Sequence, residues 1–349
     1  MIGMHDSNES KLEYWGLPIG IVEGFHKYTK IRNLFSWQID LLKQDKIYDG
    51  GKSVVYFAPT SGGKSLPAEL IMIRNIFRLK KRWLYILPFV SIVNEKTEYL
   101  KRILETSNVR IEPFCSQSES IWTPNVDIAV CTIEKANSLL NKVIEEGWYR
   151  LIDIFVFDEL HMILDGHRGY QIEYILSKLK ALEKLEQERV EEGKRWDGEQ
   201  VSADQWDKET KKFQIIGMSA TMGRSEKLMK WLDCEIYQSD FRPVPLTEYY
   251  LHGGVLYDSK HNSFEISKYW NRQNDQLISI IKTYFKNNKS VILFWNTKKL
   301  CEKYATSLSW MLEDSFVSSD EPWSDLISEL IKLTYDQDKC RNSLANKNR

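Results

Sequence analysis

Val54-Val55-Tyr56-Phe57-Ala58-Pro59-Thr60-Ser61-Gly62-Gly63-Lys64-Ser65 is the stretch whose reading decides the fold. An apolar, β-branched run ends in a glycine pair, a lysine and a serine. A helix-period stretch, 66–79, follows directly. Strand, loop and helix in that order form a phosphate cradle. Gly62 and Gly63 let backbone N–H groups approach phosphate oxygens, Lys64 supplies a positive charge, and the Ser65 hydroxyl offers a ligand to Mg²⁺. Ala58 stands where the full G-x-x-x-x-G-K-[ST] pattern has its first glycine, so the flanking strand and helix carry as much of the reading as the motif does.

Outward from this loop, five more apolar runs each end in a polar cluster. They are 83–87 before Pro88–Ser91, 128–131 before Thr132–Lys135, 154–157 before Asp158–His161, 215–218 before Ser219–Thr221, and 291–295 before Asn296–Lys299. Continuous apolar runs read as strands buried on both faces of a parallel sheet. Helix-period stretches separate them at 66–79, 92–105, 134–146, 170–185 and 225–232. Alternating strand and helix predicts an α/β fold, a RecA-like doubly wound parallel sheet, and such sheets bind ligands beyond the carboxyl ends of their strands. All six polar clusters fall at that edge.

The expected organisation is an N-terminal segment 1–33, a first RecA-like nucleotide-binding domain 34–240 with a charged insertion at 183–212, and a remainder 241–349. That remainder holds an extended crossing segment, Phe241–Pro245, in which two prolines exclude a helix. It continues as an incomplete second RecA-like domain, with helices at 275–286 and 300–312 around a strand at 291–295. Apolar residues make up 42% of the chain, enough for a sizeable core. The formal net charge is −1, so composition gives no support for nucleic-acid binding and any basic surface must be local. The five cysteines show neither CxxC spacing nor a zinc pattern with histidine, and read as reduced thiols. No apolar stretch approaches the ~18 residues of a membrane span, so no membrane partner is expected.

Each candidate residue has a bland alternative. Asp158-Glu159 after a buried strand can hold the Mg²⁺ hydration shell and orient an attacking water, with Asp158 on the metal and Glu159 on the water; the alternative is a helix-capping pair. His161 is a third candidate or an ordinary helix-start histidine. Ser219 and Thr221 read as a cap or as a relay. Gln38, in Leu34–Gln38, reads adenine by paired amide hydrogen bonds or is a surface glutamine, and spacing does not choose.

The ordered set Trp37-Gln38, Pro59–Ser65, Leu87–Ser91, Thr132–Lys135, Asp158–His161, Ser219–Thr221 and Val291–Lys299 resembles the superfamily 2 helicases with a DExH box. Tyr14–Pro18, Ile86–Ser91, Asp127–Lys135, Asp158–Ile163 with His167–Tyr170, and Asp240–Leu246 are similar to the polymerase-theta type and to the theta-like helicases. The likeness runs from about Trp15 to Tyr304. It implies an ATP- and Mg²⁺-dependent enzyme moving 3′-to-5′ on single-stranded or forked DNA, in repair, in the nucleus. It implies ATP contacts from Gln38, Thr60, Ser61, Gly62, Gly63, Lys64 and Ser65, and catalysis by Lys64, Asp158, Glu159 and His161. It further implies DNA contacts from Pro88, Ser91, Thr132, Glu134, Lys135 and Arg168, and coupling through Ser219, Ala220 and Thr221. One departure stands out. The family's Gln-x-x-Gly-Arg-x-Gly-Arg element, which supplies arginines to the γ-phosphate, is not found before Arg349. The expectation is an ATP-dependent DNA helicase or translocase, here as a fragment that binds ATP and hydrolyses it poorly, with an ATP- and nucleic-acid-binding module without motor activity, or an RNA helicase of the same superfamily, as alternatives.

Overall fold

Seven short segments form one sheet: β1 (Val54–Phe57), β2 (Arg82–Leu87), β3 (Ile111–Phe114), β4 (Ile128–Thr132), β5 (Ile152–Asp158), β6 (Gln214–Ser219) and β7 (Glu235–Gln238). In this computed structural model the described residues are 8–49, 51–80, 82–115, 123, 125–191, 212–220, 226–252, 255–265, 277, 278, 280, 281, 284 and 290–316. The strand order is β3-β4-β2-β5-β6-β1-β7, and every adjacent pair is parallel. The doubly wound parallel sheet predicted from the apolar runs is therefore present.

Strand alternation explains why those runs are continuous. On β1, Val54 and Tyr56 enter a core shared with α1 (Ile19–Thr29), α2 (Ser36–Leu42), α3 (Ser65–Leu79) and α4 (Val90–Ile103), whereas Val55 and Phe57 enter a core shared with α5 (Ile133–Glu145) and α6 (Gly169–Glu191). On β2, Trp83 and Tyr85 face the first layer and Leu84 and Ile86 the second. Both faces are covered, so the middles of the central strands β1, β2, β4, β5 and β6 are apolar and polar residues stand toward their ends.

The outer strands were not foreseen, and their sequences show why. In β3 only Ile111 and Phe114 are buried, and Pro113 fits an edge strand that pairs on one side alone. β7 alternates half-buried and exposed residues at the other edge. The 1–33 segment supplies core: Leu12, Trp15 and Phe25 are buried, and Tyr48 Oη donates to the Trp15 carbonyl at 2.6 Å. Of the charged insertion, α6 continues to Glu191, and 192–211 lie outside the described residues.

Residues Met1–Pro245 make one compact unit, which includes α7 (Glu226–Leu232), and Leu246–Arg349 make another. The described part of the second unit holds an antiparallel ribbon, β8 (Tyr249–His252), β9 (Val255–Asp258) and β10 (Ser263–Glu265), and a helix, α8 (Lys298–Phe316). Here one expectation fails. Residues 291–295 form no strand, and Ile292 and Phe294 are largely exposed. A parallel strand exists only against a hydrogen-bonded neighbour, and no described strand lies beside this run.

Candidate nucleotide site

The phosphate loop is shaped from beneath by two side chains. Trp37 Nε1 donates to the Gly62 carbonyl at 3.1 Å, and Gln38 Nε2 donates to the Gly63 carbonyl at 2.9 Å. Gln38 Oε1 accepts from the Phe35 backbone N–H at 2.8 Å, so both ends of this buried amide are engaged within the chain. The sequence left Gln38 between an adenine reader and a surface residue. The structure makes it the support of the loop. Gly63 sits at φ +82°, and a β-carbon there would lie 2.7 Å from Gln38 Nε2. Ser61 is left-handed too, at φ +64°. The Tyr56 hydroxyl donates to the Lys64 carbonyl at 2.6 Å and fixes where α3 begins. Thr60 and Ser61 are exposed at the tip.

Asp158 ends β5, beside Met218 of β6. Its Oδ1 accepts from the Glu159 backbone N–H at 3.0 Å. Burial, and then the Glu159 charge, push the Asp158 carboxyl above its ordinary range, against the pull of Lys96 and Lys64. Glu159 turns the chain at φ +55°. Its Oε2 lies 3.2 Å from His161 Nδ1, and the same nitrogen lies 3.0 Å from Ser219 Oγ. Ser219 is fully buried at the end of β6, and its carbonyl accepts from the Ala58 N–H at 3.1 Å. Two separate sequence clusters thus meet around one imidazole, and the start of the phosphate loop is tied to the second of them through Ala58. Ala220 follows Ser219 directly, and Thr221 lies outside the described residues.

Lys64, Ser65, Asp158 and Glu159 line a single cavity of about 790 Å³, together with Gln38, Ser61 and Gly63. That volume lies within the usual range for small-molecule sites, roughly 300–1,000 Å³. The donor set suits a magnesium–triphosphate. An ammonium and a helix N-terminus suit phosphate oxygens, and a hydroxyl with a buried carboxylate suits a hard divalent cation. Among the described residues no cluster of three His, Cys, Asp or Glu side chains forms a site for a metal held by protein alone. Mg²⁺ typically binds through one or two protein groups plus phosphates.

Sequence reasoning missed several lining residues: Lys30, Arg32 and Phe35 before α2, Glu69 on α3, and Lys96 and Tyr99 on α4. Glu69 was findable in principle, since it follows Ser65 by one helical turn. The α4 residues carried no motif.

The residues expected on DNA gather at the ends of β2 and β4. Arg168 Nη2 donates to the Pro88 carbonyl at 2.6 Å, Arg168 Nε donates to Glu134 Oε1 at 2.6 Å, and its guanidinium lies 5.6 Å from the centre of the exposed Phe89 ring. Thr132 caps α5 by accepting from the Lys135 N–H at 3.4 Å. Ser91 is exposed in the first turn of α4. Pro88, Glu134 and Arg168 are thus one hydrogen-bonded group, with Thr132 and Lys135 at the cap beneath it.

A parallel sheet with a phosphate loop on β1 and an acid pair on β5 defines a P-loop nucleotide-binding domain. Residues 42–229, more than half of the chain, match the DEAD/DEAH box helicase family, and the chain belongs to it. It is 36% identical over 298 residues to DNA polymerase theta of Mus musculus, covering 84% of this chain and 11% of the polymerase. It is 30% identical over 325 residues to the Helicase POLQ-like protein of Homo sapiens, covering 88% and 27%. It is 28% identical over 285 residues to the ATP-dependent DNA helicase Hel308 of Thermococcus kodakarensis, covering 81% and 22%. The chain thus spans well under a third of each of these relatives. The crystal structure of the DUF1998 helicase MrfA superposes with a TM-score of 0.57 at 15% identity, over 87% of this chain and 42% of that one, which supports the fold. The helicase resemblance read from the motifs is confirmed.

Proposed function

We propose that this chain binds ATP with Mg²⁺ and couples its hydrolysis to movement on single-stranded or forked DNA, as the nucleotide-binding part of a helicase. The observation that carries the proposal is the convergence of Lys64 and Ser65 with Asp158 and Glu159 on one cavity. Bound ATP·Mg²⁺ supplies the γ-phosphoryl group that is transferred to water. Lys64 neutralises the terminal phosphates. Ser65 and Asp158 would hold the cation. Glu159 positions the water and takes its proton, and His161 steadies the Glu159 carboxylate from the far side. His161 also touches Ser219, so a change at the acid pair reaches the end of β6 without a further intermediary.

DNA is the favoured track because two relatives are named as DNA enzymes, DNA polymerase theta and ATP-dependent DNA helicase Hel308. The exposed end built from Ser91, Thr132, Glu134, Lys135 and Arg168 offers hydroxyls and helix N-termini suited to a phosphate backbone. A role in repair, 3′-to-5′ polarity and a nuclear location belong to the same proposal and rest on the likeness to those relatives.

The test is ATP hydrolysis by the whole chain, with and without oligothymidylate or oligouridylate. Stimulation by the DNA strand and loss of turnover in Lys64→Ala, at unchanged melting temperature, are expected. Turnover unaffected by Lys64→Ala overturns the assignment of the site. Stimulation by RNA alone overturns the choice of DNA.

A further inference from the structure

Several charged groups that line the cavity, Lys30, Arg32, Glu69, Glu95 and Lys96, have no part in the chemistry above. Lys96 projects from the second turn of α4, and its Nζ donates to Glu69 Oε1 at 2.8 Å. Tyr99, one turn further, donates its hydroxyl to Glu69 Oε2 at 2.8 Å. Glu69 is 1% exposed and the Lys96 side chain 15%, so this is a buried pair between the helix that follows the phosphate loop and the helix that follows β2. Taking two such charges out of water costs several kcal/mol, and apolar substitutes are often as stable. Stability alone therefore does not account for the pair.

Its position offers another account. The Lys96 ammonium packs near the faces of Tyr85 and Tyr99, at 5.6 and 4.7 Å from the ring centres. It lines the same cavity as Lys64, and its charge acts on Asp158. It thus stands between the anion that moors it, Glu69, and the place where a triphosphate and its acid pair meet. The amino-terminal end of α4 is the Pro88–Ser91 corner, where Arg168 holds the Pro88 carbonyl. Five residues separate Ser91 from Lys96, about 7.5 Å of rigid helix.

We propose that Lys96, moored by Glu69 and Tyr99, is a positioning residue that makes α4 a mechanical link between the nucleotide cavity and the DNA-facing Pro88–Ser91 corner. This rests on the function proposed above and adds a second route beside the His161–Ser219 contact. A phosphate group entering the cavity competes with Glu69 for the ammonium, and any displacement of Lys96 is passed along α4 to Ser91. Binding of one ligand then alters affinity for the other, and reciprocally so.

The experiment measures the dissociation constant of fluorescein-labelled oligothymidylate by anisotropy, without and with a non-hydrolysable ATP analogue plus Mg²⁺. For the unaltered chain the two constants differ by roughly fivefold or more, the usual scale of coupling between sites. In Lys96→Met and in Tyr99→Phe the ratio falls below about twofold on that scale, and in Lys96→Arg it is largely restored. The double variant Glu69→Gln with Lys96→Met leaves no buried charge unpaired, keeps the test open if a single variant fails to fold, and also loses the ratio. Variants that keep the full ratio overturn the proposal. So does an unaltered chain that binds both ligands at a ratio of one, which leaves the helicase function standing. An unaltered chain that binds neither ligand overturns both.

Discussion

Two buried carboxylates, one on each face of the sheet, are partnered in opposite ways. Glu186 on α6 accepts hydrogen bonds from Tyr149 and from the guanidiniums of Arg150 and Arg189. Glu69 on α3 meets one ammonium and one phenol. Burial pulls the Glu186 carboxyl upward, but the hydrogen bonds from Arg150 and Tyr149 and the two guanidinium charges outweigh it and hold it down at about 2. Glu186 is saturated and does not line the nucleotide cavity, while Glu69 is moored to a cation that does. The same residue type, equally buried, ties one layer together and leaves the other with a movable part. The contrast teaches that burial alone does not distinguish a fastening from a device. The partner's access to a cavity does.

The comparison can be broken in several ways. The largest effect is expected at the chemical centre on the cavity side. Glu159→Gln should lower turnover by about 10²–10⁴-fold while nucleotide affinity persists, as loss of a general base does. Single-turnover hydrolysis beside equilibrium binding measures this, and a loss of affinity instead would move Glu159 from the water to the nucleotide. Next is the fastening. Glu186→Gln leaves two guanidiniums without their acid and should cost about 2 kcal/mol, seen as a melting point lower by roughly 4–8 °C, with ATP affinity unchanged. A change in ATP affinity would erase the distinction between the faces.

Gly63→Ala should weaken nucleotide binding by about tenfold, because a β-carbon collides with the Gln38 amide at a left-handed backbone position. Isothermal titration tests it, and retained affinity would mean the loop rests on Trp37 alone. The smallest effect is in pH. Because the folded Glu186 carboxyl titrates at about 2, below its ordinary 4.5, its contribution is complete above the unfolded value and disappears as pH falls toward 2. The melting-point gap between the unaltered chain and Glu186→Gln should therefore be widest above pH 5 and close in acid. A gap independent of pH would show that packing, not charge, holds the α6 layer.

Much of this was legible from residue order. The central strands were readable because their two-sided burial leaves unbroken apolar runs, and each run ends where the sheet's carboxyl edge must carry polar groups. The edge strands were not. Ile111–Phe114 and Glu235–Gln238 are half-wet, and their mixed composition looks like loop. The 291–295 run erred in the other direction, since an apolar stretch specifies a strand only when a neighbour is there to pair with it. At the site, Lys64 could be named because phosphate-loop spacing is rigid, and Asp158 and Glu159 because an acid pair closes a buried apolar run. The support role of Gln38 could not, because it depends on a hydrogen bond across 25 residues to Gly63. The Glu69–Lys96 pair was invisible for a simpler reason: charged residues on helices ordinarily face water.

The left-handed backbone at Glu159 carries a consequence for the history of the chain. That conformation costs a non-glycine residue about 1–2 kcal/mol, with glycine best suited to it and asparagine or aspartate next. Glycine brings no carboxylate, and aspartate brings one that reaches a methylene less far. Durability and reactivity therefore compete at one codon. Glu159→Gly should melt higher than the unaltered chain and turn over nothing. A lineage released from the need for turnover would be free to drift toward that sturdier, silent form.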